Sequence, residues 1–248
     1  MKSILNLLQP IRSFLNSFAS EFRPALIGFL IVLILSVLLL AVTTENQSIY
    51  NLLSDSRQTP WGVVTSIFVH SGSVHLASNV TALFTYVVLF VLVQGSLTPS
   101  DKKRRSQFLL LDIFISGILA NILFLLVSTG SAAGASGVVY ASEGVVTGFA
   151  LFTAFPNRLT SEGLREHLLS KRQRSRGLPG LVIFIVLFLE ATLFPRVFLN
   201  VEPGVNAFAH FWAFEISFIS VMLFVLYRWK KTGKFNEWAE RDNSVSTG

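Results

Sequence analysis

The sequence predicts an all-α polytopic membrane protein, a bundle of six transmembrane helices with both termini cytoplasmic, on three observations. Apolar residues fill 52% of the 248 positions, charged residues only 14%, and mean hydropathy is +0.60. A soluble domain is about a quarter charged. Six apolar runs approach the length that crosses a hydrocarbon core of about 30 Å at about 1.5 Å per residue. The 20 Lys and Arg residues fall almost wholly into alternate connections.

Residues 1–24 carry Ile4, Leu7, Leu8, Ile11, Leu15 and Phe18 at helical spacing, as in an amphipathic segment on the cytoplasmic membrane surface. Residues 25–227 form the membrane domain, and 228–248 a polar cytoplasmic tail. Span one runs over 25–42, with Pro24 at its first turn. The connection 44–73 contains Pro60-Trp61 and the apolar stretch 63–69, and reads as interfacial or re-entrant; loops this long tend to be functional. Span two covers 74–93, and a basic loop with Lys102, Lys103, Arg104 and Arg105 leads to span three at 108–128. A small-residue turn at 129–135 opens span four, which starts at Ser136 and ends near Pro156. The segment from Arg158 to Arg176, including His167, reads as a solvated loop. Spans five and six cover 181–195 and 205–227.

The N-terminus, the 96–107 loop, the 156–180 loop and the tail hold 3, 4, 6 and 5 Lys/Arg, whereas the opposite side holds only Arg57 and Arg196. The positive-inside rule then puts both termini in the cytoplasm, in a multi-pass protein of the cell membrane. Because the basic charge is explained by topology, no nucleic acid partner is expected. No cysteine is present, which excludes a disulfide framework, a thiolate nucleophile and a Cys-ligated metal. No cofactor or metal is expected, nor a removable signal peptide.

Direction along each span gives depth. Spans two, four and six all run inward, so His75, Asn79, Ser136 and His210 share the outer part of the membrane although up to 135 positions separate them. His75 and Asn79 lie one turn apart on one face. Ser136 sits in Gly134-Ala135-Ser136-Gly137-Val138-Val139-Tyr140, where two glycines suit close approach of the backbone to something, a substrate among the possibilities. Each feature has an ordinary alternative: a small-residue packing site for GxSG, a packed His, an interhelical Asn. Strongly polar groups at membrane depth are nonetheless functional by default. Ser136 needs a base to become nucleophilic, and His210 is the candidate. The Ser136 amide at a helix N-terminus, with Asn79 and His75, would bind an oxyanion, at about 3 kcal/mol per donor. No acid occupies an obvious place beside His210, leaving a Ser/His dyad whose imidazole Tyr140 could orient by packing.

These residues resemble the rhomboid family of intramembrane serine proteases from about Pro60 to Val221. The similarity rests on Pro60-Trp61, Phe68-Val69-His70, the HxxxN of His75 and Asn79, GxSG from Gly134 to Gly137, and Ala209-His210, in this order. The resemblance implies Ser136 as nucleophile, His210 as general base, and His75, Asn79 and Ser136 in the oxyanion hole. Gly134, Gly137 and Tyr140 would support them, with Tyr140 under the histidine. The chain departs from the family at Ala213 and Ser217, where glycines are usual, in the bulky Phe211-Trp212, and in lacking a Trp-Arg pair in its first long loop, which bears on loop docking.

The expected function is therefore hydrolysis of peptide bonds in or beside the transmembrane segments of other membrane proteins, with membrane lipid as the surrounding partner. One rival is a catalytically silent rhomboid-like protein that binds transmembrane clients. Another is a transporter with Glu143, Glu190 and Glu215 as a proton relay, which would require repeats the sequence lacks. Asp112 is expected to reach water near the cytoplasmic end of span three. Oligomeric state is not legible.

Overall fold

The computed structural model describes residues 2–154, 171–193 and 206–234, with side chains at 18–154, 176–193 and 206–234. The described residues form helices without a ladder of strands: α1 (Lys2–Glu45), α2 (Gln47–Leu53), α3 (Gly62–Thr65) with a 3-10 turn at Ser66–Phe68, α4 (Ser73–Gln94), α5 (Pro99–Val127), α6 (Ser136–Ala154), α7 (Lys171–Leu193) and α8 (Ala207–Thr232). Six of these, α1 and α4 to α8, are long and apolar enough to cross a membrane. Large apolar side chains such as Leu38, Leu111, Val186 and Leu223 remain exposed on their outer faces, as a lipid-facing surface requires.

Helix starts and stops differ from the sequence reading in several places. Pro24 lies inside α1, which runs unbroken from Lys2, and the Ala25 amide donates to Ser106 Oγ of α5 at 3.0 Å. The basic run Lys102–Arg105 belongs to the first turns of α5, because Thr98 caps that helix and Pro99 occupies its first turn. Helix α7 begins at Lys171, ahead of the expected 181, and carries Pro179 inside it. Helix α8 continues to Thr232, where Gly233 at φ 68° closes it. The expectations for His167, Arg158 and Arg196 lie outside the described residues.

Helix α6 is the axis of the bundle. Some 89% of its apolar window is buried, against 22–33% for the other five, and it packs on α4, α5, α7 and α8. Its small residues permit this. A Cβ built on Gly144 would stand 2.3 Å from the Phe214 backbone oxygen of α8, one on Gly148 would stand 2.8 Å from the Val221 side chain, and one on Gly137 would touch the Gly117 Cα of α5 at 3.5 Å. A Cβ on Gly180 of α7 would stand 2.9 Å from the Ala150 carbonyl oxygen. Without water-driven attraction between helices in lipid, such close packing is a principal source of association. Ala213 and Ser217, both fully buried, are small enough to face α6, so the glycines that make this contact lie on α6 and not on α8.

At the end of the bundle away from Ser136, Asp101 pairs with Arg228 of α8 and lies 3.6 Å from Arg105. Arg105 also stands 4.7 Å over the Phe149 ring and reaches Thr153 of α6 at 3.4 Å. All three charged residues are buried, so the cluster ties α5, α6 and α8 together at one end. Asp112, expected near water, is instead buried among the hydroxyls of Ser116, Ser217 and Ser220.

Gly144→Val is expected to lower the detergent unfolding temperature by several degrees, because its side chain would collide with the α8 backbone. Gly72→Ala, where an added Cβ meets nothing within 4 Å, should leave that temperature unchanged.

Candidate active site

The connection 129–135 is sewn to the loop between α1 and α4. Asp55 and Ala132 exchange backbone hydrogen bonds at 2.8 and 2.9 Å, and the Gly134 amide donates to the Ser66 carbonyl at 2.9 Å. The Ala135 amide donates to His70 Nε2 at 3.3 Å. The loop that receives them is itself held by Trp61 Nε1 donating to the Leu52 carbonyl at 2.8 Å and by Thr65 Oγ1 donating to the Leu53 carbonyl at 2.7 Å. Arg57 donates to the Leu125 and Leu126 carbonyls, which end α5 with free acceptors. These bonds dock the loop without the Trp-Arg pair.

Ser136 is thereby delivered as the first residue of α6, where the amides of Ser136, Gly137 and Val138 have no partner within the helix. Gly134 precedes it at φ 127°, a conformation side-chain-bearing residues rarely adopt. A Cβ there would stand 2.7 Å from His75 Cε1 and 3.5 Å from Asn79 Nδ2, so what the backbone approaches is the His75 ring and the Asn79 amide. Gly137 serves the packing on Gly117 described above.

His75 takes a 3.2 Å contact from Ser71 Oγ at Nδ1 and meets the His70 ring edge-on at 5.1 Å. Asn79 is buried, and its Nδ2 has no hydrogen-bond partner among the described residues. His210, 3% exposed, stacks on Tyr140 with ring centres 4.2 Å apart and planes 18° from parallel. Ser136, His210, His75, Asn79, Gly134, Gly137 and Tyr140 all line one cavity of about 510 Å³. Every site residue expected from the sequence is thus brought to a single chamber.

Several of its other residues escaped the sequence reading. Asn206 caps α8: its Oδ1 accepts from the Ala209 amide at 3.0 Å and its carbonyl from the His210 amide at 3.2 Å, which sets the turn carrying His210. An Asn just ahead of an apolar run was the available signal. Ser71 and Tyr86 gave none, because their spacing from the motifs means nothing until α4 is placed against α6. Glu143 and Glu190 line the chamber; Glu215 is half-buried on α8 and does not.

Two loop groups have shifted titration. Burial, reinforced by neighbouring His75 and partly offset by the Phe68 backbone, lowers His70 from 6.5 to about 4, so Nε2 stays free to accept from Ala135. Burial raises Asp55 from 3.8 to about 7, and neither carboxyl oxygen has a hydrogen-bond partner among the described residues.

A helical membrane bundle with a polar cavity at one end of its central helix defines a polytopic membrane protein. Residues 57–227 match the Rhomboid domain, and the chain belongs to the rhomboid family. No curated protein matches the chain.

Between about pH 4 and 7 folded Asp55 keeps a proton that the unfolded chain has lost, so its contribution to stability falls as pH rises through that window. Asp55→Asn should therefore gain unfolding temperature relative to the parent from pH 5 to 8, with the difference levelling above pH 7. Comparing the two proteins at each pH removes the opposite trend from His70, whose lowered value costs stability as pH falls from 6.5 toward 4.

Proposed function

We propose that this protein is an intramembrane serine protease of the cell membrane, hydrolysing peptide bonds in or next to transmembrane segments of membrane-protein substrates. The observation that carries this reading is the convergence of Ser136 and His210 on one polar cavity, with Tyr140 stacked on the imidazole. His210 takes the Ser136 proton as the oxygen attacks the substrate carbonyl carbon, and returns it to the departing amine as the C–N bond breaks. Water, deprotonated by the same imidazole, then cleaves the resulting ester and regenerates the serine.

Charge develops on the carbonyl oxygen in both steps. Its donors are the Ser136 amide, Asn79 Nδ2 and His75, and the unpartnered state of the Asn79 amide suits a group reserved for it. In the tautomer with Ser71 donating to Nδ1, the His75 proton sits on Nε2, the nitrogen 2.9 Å from the position a Gly134 Cβ would take. The Tyr140 ring holds the imidazole plane in place of an acid. Membrane lipid surrounds the bundle, and both termini are cytoplasmic in this reading, with Ser136 toward the outer surface.

Ser136→Ala and His210→Ala should each abolish cleavage of a model transmembrane substrate by the folded protein, the double variant being no worse than either. Asn79→Ala should lower kcat by about 10²–10³ while a fluorophosphonate still labels Ser136 slowly, whereas His210→Ala should suppress labelling. Wild-type turnover in Ser136→Ala would show the hydrolase reading to be wrong.

Single cysteines in the cysteine-free chain test the orientation. At positions 57 and 131 they should react with a membrane-impermeant maleimide added to intact cells, and at position 172 only after lysis. Reaction at 172 in intact cells would invert the topology.

A further inference from the structure

The interface of α5 and α8 carries a polar cluster that neither the dyad nor its cavity uses. Asp101 of α5 pairs with Arg228 of α8, and eleven residues separate Asp101 from Asp112 along one helix and Arg228 from Ser217 along the other. The two helices run antiparallel, so Asp112 and Ser217 reach one level, about 16 Å in from that pair and near the middle of a hydrocarbon core of about 30 Å. Ser116 lies one turn from Asp112 on the same face of α5, and Ser220 one turn from Ser217 on α8. All three hydroxyls stand against the Asp112 carboxyl.

These groups face one another without closing hydrogen bonds. Asp112 Oδ2, Ser116 Oγ and Ser217 Oγ are buried and have no partner among the described residues. A serine or threonine in an apolar helix can satisfy its own hydroxyl by donating to the carbonyl four residues back, as Thr43, Thr85, Ser142 and Thr192 do. Ser36 and Thr147 are also open, on α1 and α6, but Ser116 and Ser217 share one carboxyl. Ser217 stands where a glycine is usual, and a Cβ on Gly144 would lie 3.0 Å from its Cβ, so packing on α6 does not require the hydroxyl.

The carboxyl also lacks a fixed counter-charge. Residues 24–45, 106–127, 136–154 and 207–227, the membrane-level parts of α1, α5, α6 and α8, contain no Lys or Arg. Arg105, two turns below Asp112, is held by Asp101, Thr153 and the Phe149 ring. An ionised carboxylate at that depth is costly unless a cation meets it. One carboxylate and three hydroxyls are oxygen ligands, which suit a hard cation. A single negative charge selects a single positive one, since a divalent ion would leave net charge in the hydrocarbon.

We propose that Asp112, with Ser116, Ser217 and Ser220, binds a small monovalent cation, sodium, that joins α5 to α8 in the middle of the bundle. The site is independent of the proteolytic reading, and binding and stability report on it without cleavage.

The test uses the full chain in detergent micelles at fixed pH and constant ionic strength, with sodium chloride replacing choline chloride. Because a ligand of the folded state alone stabilises that state, the wild-type unfolding temperature should rise by about 5 °C and saturate as sodium increases. Asp112→Asn should abolish the rise, and Ser116→Ala or Ser217→Ala should raise the sodium concentration at half effect by about tenfold. Should Asp112→Asn not fold, the serine variants carry the comparison, and equilibrium dialysis of the wild type against radioactive sodium should find bound ion that either serine variant holds more weakly. Equal unfolding temperatures in sodium and choline overturn the site and leave a protonated carboxyl or a buried water among the hydroxyls. A sodium shift that persists unchanged in Asp112→Asn and both serine variants overturns it as well, as does dialysis that finds no bound sodium.

Discussion

The contact of α6 with α8 through Gly144 and Gly148 is the constraint on which the rest of the molecule depends. With no Cβ between them, the Gly144 backbone lies against the Phe214 carbonyl, and Val221 fills the space at Gly148. That distance decides whether Tyr140 can stack on His210 one turn above Gly144 and Phe214, and hence whether Ser136 and His210 share a chamber. A methyl group at either place would meet the Phe214 carbonyl or the Val221 side chain, so α8 would have to shift. Packing in the middle of the bundle therefore sets the geometry of the cavity at its end.

Polar groups are distributed around that contact in two different ways. At the end away from Ser136, Asp101, Arg105 and Arg228 are buried but matched in charge or laid on the Phe149 ring, which locks helix ends. In the chamber, Asn79 Nδ2 and Glu143 Oε1 are buried and left open. Unpaired polar groups are expensive at membrane depth, and these two differ from Gln94 and Asp55, which are also buried without a partner among the described residues, in lining the cavity that holds Ser136 and His210.

The loop between α1 and α4 links the two halves of the site. Its backbone pairs with Ala132, and His70 receives the Ala135 amide, so the residues just before Ser136 have their own donors occupied. What remains unpaired at the start of α6 are the amides pointing onward from Ser136. This division follows from His70 staying neutral, which its burial beside His75 ensures at ordinary pH.

By itself the sequence determined the number of spans and their order, and it singled out four polar residues that the structure brings to one cavity, because span length, hydropathy and residue type are local properties. It also carried the family, since the motifs around His75, Ser136 and His210 are contiguous. Helix limits were less legible: apolar runs mark where lipid begins, whereas Thr98-Pro99 starts α5 well ahead of it and α1 passes straight through Pro24. Only the tertiary structure decided that Gly137 packs on Gly117 while Gly134 approaches His75, that Asn206 sets the His210 turn, and that Glu143, Tyr86 and Glu190 line the same cavity as Ser136 and His210. Each of those depends on the rotation of one helix about its axis and its distance from another, and both are fixed by which small residues allow two backbones to touch.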